Sequence, residues 1–150
     1  MAISRGAGTE IIRTAHFEDI DGSTNHVLIF GVQHHIYTVL SVTFACKALQ
    51  ATTNKMDLNV LGYDSKGGTT QEYNQIFTQV IPVGETFVWN DKFSFNGHEP
   101  VDFTGPMDSI VKQDAIADQG SSVAQKLTCG STHADDDFEV TITYIDQNNA

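Results

Sequence analysis

Nineteen Asp and Glu against eight Lys and Arg give this 150-residue chain a net charge of −11, which argues against nucleic acid or anionic lipid as a direct partner. Hydrophobic residues make up 40% of it. That suffices for one core, and a domain of this size buries roughly 70% of its unfolded surface without needing a metal or disulfide. The acidic surface has two readings, solubility at high local concentration or attraction to a basic partner.

Residues 1–9 are mostly small and carry Ile3 and Arg5; they read as an N-terminal arm, with residues 10–150 as the domain. No apolar stretch of a secretory leader opens the chain, so it is expected to be made soluble in a cytoplasm. Glu10 to Ile20 forms a first candidate strand, closed by the turn residues Asp21-Gly22-Ser23. The apolar stretch Val27–Val32 is interrupted by Gly31 and is far too short to span a membrane.

The clearest pattern runs from Ile36 to Lys47. Ile36, Thr38, Leu40, Val42, Phe44 and Cys46 alternate with Tyr37, Val39, Ser41, Thr43, Ala45 and Lys47, the period of a half-buried strand. Met56, Leu58 and Val60 alternate similarly up to Tyr63, before the turn Asp64-Ser65-Lys66-Gly67-Gly68. Tyr73 to Val83 is extended, with Pro82 placing its end beyond pairing. Phe87-Val88-Trp89 and Phe93-Ser94-Phe95 flank Asn90-Asp91-Lys92 and predict a tight hairpin.

From Asn96 to Ser122 prolines and glycines break the pattern. Met107, Ile110, Val111 and Ala115 permit one short helix entered at Pro106. Strands return at Val123–Cys129 and Phe138–Ile145, the latter with Phe138, Val140, Ile142 and Tyr144 on one face. Short strands joined by Gly, Asn and Asp turns predict an all-β fold, a single antiparallel β-sandwich or jelly roll.

Chemistry-bearing motifs are scarce. No Gly-x-Ser-x-Gly elbow, phosphate cradle or His-Glu-x-x-His occurs, so no catalytic residue is assigned and a non-enzymatic protein is expected. His34 and His35 are neighbours on a strand and point to opposite faces. His16, His26, His98 and His133 stand singly in expected turns or strand ends, so no metal site is assigned and no cofactor is expected. Asp19-Ile20-Asp21-Gly22-Ser23 starts like a calcium loop but lacks its spacing and closing Glu. Asp135-Asp136-Asp137 reads as a solvated turn. Cys46 and Cys129 read as buried free thiols, with a cross-strand disulfide left open. Trp89, Tyr63, Tyr73 and Tyr37 are the residues a sugar-stacking platform would use, although Trp89 sits among phenylalanines at core period.

Two phrases carry a resemblance. Asp57-Leu58-Asn59-Val60-Leu61-Gly62-Tyr63-Asp64 followed by Ile81-Pro82-Val83-Gly84-Glu85-Thr86-Phe87-Val88-Trp89-Asn90-Asp91-Lys92-Phe93, and the closing run Leu127–Ser131 with Phe138–Ile145, resemble small β-sandwich virion proteins of tailed bacteriophages. The likeness covers roughly half the chain and departs from that class in an insertion from Asn96 to about Gly120. It implies a structural protein of the virion, made in the bacterial cytoplasm: a capsid decoration or cement protein, with a tail, baseplate or neck component as the alternative. Its implied partners are other virion proteins, the major capsid or tail protein, and copies of itself in a homo-oligomer, a trimer before other orders. Ile3, Arg5, Ile11, Ile12 and Arg13 are the expected assembly contacts, in a segment from Ala2 to Arg13 that orders against a neighbour. Outside the virion, the alternative is a carbohydrate-binding β-sandwich module.

Overall fold

In a computed structural model, the described residues form nine strands in two antiparallel sheets packed face to face. The structure describes residues 9–64, 69–98, 110–111 and 123–148, and for Tyr63, Asp64, Thr69 and Thr70 the backbone alone. The strands are β1 (Thr9–Ile20), β2 (His26–Phe30), β3 (His35–Ala48), β4 (Lys55–Asp64) and β5 (Thr69–Val80). They continue with β6 (Thr86–Trp89), β7 (Phe93–Asn96), β8 (Lys126–Ser131) and β9 (Asp137–Asn148). One sheet runs β1-β9-β3-β6, with β7 also on β3, and the other runs β2-β8-β4-β5. Taking β6 and β7 as one interrupted strand, this is the interleaved eight-strand order of a jelly roll.

The core lies where the inner faces meet. Val42, Phe44, Phe138, Val140 and Ile142 from the first sheet oppose Met56, Leu58, Leu127 and Cys129 from the second, all fully buried. Phe77 of β5 reaches across: its ring lies 5.2 Å from Phe44 edge-on and 5.2 Å from Trp89 in a stack. Cys46 and Cys129 are buried free thiols on opposite sheets. Burial pushes both thiols up, that of Cys129 to about 12, so neither is a ready nucleophile.

Three expectations are corrected. First, β3 does not keep one phase. Tyr37 and Val39 are buried at its start, and Val42, Phe44 and Cys46 further on. Between Val39↔Tyr144 and Ser41↔Thr143 the register shifts by one residue, so Leu40 is extra, and a bulge of this kind exchanges the two faces of everything before it. Second, the aromatic phrases form no hairpin. β6 pairs with Val42–Ala45 and β7 with Ile36–Val39 of the same strand, which lines Phe87, Trp89, Phe93 and Phe95 against the inward residues of β3. A hairpin would have carried β7 away from that partner. Third, Thr9 pairs with Asn148 and stands in β1, not in the arm. Of the stretch in which the sequence permits a helix, Ile110 and Val111 are described and exposed; its remainder, and most of the insertion, lie outside the described residues.

Candidate functional site: the β1 edge

The sheets end on four sides, and the strands there differ in how well they resist pairing with another chain. Exposed edges are commonly protected by shortness, bulges or charge. β2 is five residues long with a register shift at Leu28. β6 and β7 are four residues each. β5 is long, but its register shifts twice against β4, and Gln71 takes a φ of 57°. β1 differs: Thr9 to Phe17 match β9 in nine consecutive pairs, without interruption, before a shift between Phe17 and Ile20 where Asp19 has a φ of 56°. Nine residues offer about 30 Å of regular edge.

Alternation fixes what that edge presents. Ile11, Arg13, Ala15 and Phe17 pair with Asp146, Tyr144, Ile142 and Val140, the inward residues of β9. Glu10, Ile12, Thr14, His16 and Glu18 therefore line the outer face, where Ile12 is 68% exposed. The same face continues across β9 and β3 through Thr141, Thr143, Ser41 and Thr43. Thr14 and Thr143 hydroxyls lie 3.4 Å apart, and the His16 imidazole Nδ1 lies 2.8 Å from the Thr141 hydroxyl.

The inward side is anchored by a polar latch. Asp146 is 5% exposed; its Oδ1 accepts from His35 Nδ1 at 2.7 Å and its Oδ2 from Arg13 Nε at 3.3 Å. A buried carboxylate needs such partners, because an unpaired charge in this position costs several kcal/mol on the order of a full desolvation penalty. The latch ties β1 and the start of β3 to β9. Tyr37 closes over it, stacked on His35 and Phe95 at 6.0 and 5.4 Å, with its hydroxyl accepting from the Val32 amide at 3.1 Å. Burial pushes the Tyr37 and Tyr144 phenols up, which keeps both neutral.

Among the sequence-derived contacts, Ile11 and Ile12 are exposed on β1. Arg13 is turned inward and engaged by Asp146. Ile3 and Arg5 lie outside the described residues. The candidate sugar platform is dispersed: Tyr37 is buried, Trp89 packs on Phe77, and Tyr73 is exposed on β5. The side chain of Tyr63 is outside the described residues.

Two acidic segments are fastened internally. Asp21 Oδ1 accepts from the Ser23 amide at 2.9 Å, the Ser23 hydroxyl, and His26 at 3.1 Å. The Ser23 hydrogen bonds, then His26, hold the Asp21 carboxyl below its ordinary value. Asp136 corrects the reading of its triplet as a solvated turn: it is 3% exposed. It accepts from the Gln50 amide at 2.8 Å, Asn54 Nδ2 at 3.0 Å and the His133 amide at 3.0 Å. Desolvation pushes its carboxyl up, but the bonds from Asn54, Gln50 and His133 outweigh it and leave the carboxyl low.

Sequence reasoning missed Asp146, although the alternation Phe138, Val140, Ile142, Tyr144 carried one step further points to it. His16, expected in a turn or strand end, stands in mid-strand.

The fold and edge define a class, an antiparallel jelly-roll sandwich with one long regular edge among the described residues. No protein-family model matches the sequence, and no curated protein is similar to it. One solved chain, described under "Bacillus endospore appendages form a novel family of disulfide-linked pili", is 11% identical over 100% of this chain and 97% of that one, with a TM-score of 0.44.

Proposed function

We propose that this chain is a non-enzymatic structural protein that assembles by adding a strand of a neighbouring chain to β1. The observation that supports this is the contrast among the edges: β2, β5, β6 and β7 are short or bulged, whereas Thr9–Phe17 is straight and carries exposed Ile11 and Ile12. Main-chain hydrogen bonds give affinity at such an edge, and the alternate side chains give selectivity.

The assembly is a tailed-phage particle in this reading, with the chain as a capsid decoration or cement protein, in keeping with the phrases around Gly84-Glu85-Thr86 and the closing strands. The neighbour on β1 is another copy or the major capsid protein. Quantitative mass spectrometry of purified particles tests the placement. Hundreds of copies per particle are expected. A few to a few dozen would move the chain to the neck, baseplate or tail, and complete absence would overturn the virion reading.

A further inference from the structure

We propose that His16, Glu18 and Glu139 form a binding site for a divalent cation of the zinc class on the outer face of the first sheet. Each offers one ligand atom, and these atoms all lie within 4.8 Å of one another. The donor set is one imidazole nitrogen and two carboxylate oxygens, which suits zinc, cobalt or nickel; calcium and magnesium prefer all-oxygen shells. Bonds of about 2.1 Å at tetrahedral angles put ligand atoms about 3.4 Å apart, so these side chains must close by at most roughly 1.4 Å. His16 and Glu18 are exposed and Glu139 is half-buried, and rotation of exposed side chains supplies a movement of that size.

His16 is paired with Thr141, and Glu139 precedes Val140, the partner of Phe17. Those two ligands stand on paired strands, where positions are more exact than on a loop. Glu18 lies two residues on from His16, in the register shift that follows Phe17. His16 is also oriented from behind, since its Nδ1 meets the Thr141 hydroxyl at 2.8 Å and its Nε2 faces Glu18 Oε1 at 3.9 Å. A ring nitrogen held in this manner leaves the other for a metal. Glu18 and Glu139 on adjacent strands repel each other, and a cation between them removes that repulsion. The cation already present is Lys47, whose Nζ lies 3.6 Å from Glu139 Oε2; a metal competes with it. Three protein ligands leave a fourth position open to water or another donor.

Calorimetric titration of the full chain with zinc alone, and separately with calcium, tests the site. One zinc per chain is expected, with calcium at least tenfold weaker. His16→Ala should weaken zinc binding by tenfold or more, Glu18→Gln should weaken it severalfold, and Lys47→Gln should tighten it severalfold. The zinc-induced shift of imidazole resonances should be largest at His16 among the six histidines. Binding that survives His16→Ala unchanged, a shift centred on another histidine, or no saturable zinc binding up to millimolar concentration would each overturn the assignment.

Discussion

Asp136 carries more of the fold than its place in a run of three aspartates suggests. Its carboxylate fastens the loop after β3 through Gln50 and Asn54 and the loop before β9 through His133. Asp136→Ala leaves the buried Asn54 side chain and the part-buried Gln50 and His133 amides without this acceptor and should cost about 2 kcal/mol, read as a lower urea midpoint at neutral pH. The carboxyls of Asp136 and Asp21 titrate lower in the folded chain than in the unfolded one. Their stabilisation is therefore fully present above about pH 4 and is lost as pH falls through the folded values. Urea midpoints measured between about pH 6 and pH 2.5 should fall on the acid side, and the fall should be shallower in Asp136→Asn. Gly97 is a second residue whose role the sequence hides. A Cβ there would meet the Val32 carbonyl oxygen at 1.8 Å, because the Gly97 amide donates to His35 and its carbonyl accepts from Gln125, each at 2.8 Å. Gly97→Ala should destabilise by about 3 kcal/mol, seen in thermal unfolding.

At the scale of elements, the sequence displayed existence better than pairing. Period-two runs located β3, β4 and β9, because a strand with one buried face must alternate, while β1 was marked by its closing turn Asp21-Gly22-Ser23. The phase of β3 was hidden for a local reason. Val39, Leu40 and Val42 put apolar residues on both faces around the bulge, so alternation there fits two registers. The broken strand of β6 and β7 was hidden too, since four aromatics at even spacing suit a hairpin and a continued strand alike. The edge itself was out of reach, because which strand ends a sheet follows from long-range pairing and not from local pattern. Its consequence is testable at Ile12. This side chain points outward, so Ile12→Lys should change monomer stability by no more than about 0.5 kcal/mol while weakening assembly at least tenfold by sedimentation. The structure also sets where a truncation belongs. Removing residues 2–13 would take out the first half of β1 and the Arg13 partner of Asp146. Deleting residues 2–8 tests the arm alone and should leave thermal unfolding of the domain unchanged.

For the whole molecule, charge and edge act against each other. Every copy brings a net charge of −11, and like-charged copies repel over about 10 Å at 0.1 M salt. Self-association through β1 should therefore strengthen from low to moderate ionic strength, whereas docking on a basic partner would weaken. Sedimentation across a salt series separates these two uses of the acidic surface. The central claim, that β1 receives a neighbouring strand, is tested most directly by amide hydrogen exchange of Thr9–Phe17 in the isolated chain and in the assembled particle. Amides of an unpaired edge exchange quickly, and those in a completed ladder slowly. The account predicts that the fast-exchanging amides of β1 become protected on assembly while those of β5 do not. Equal exchange at β1 in both states, with protection appearing on another strand, would contradict it.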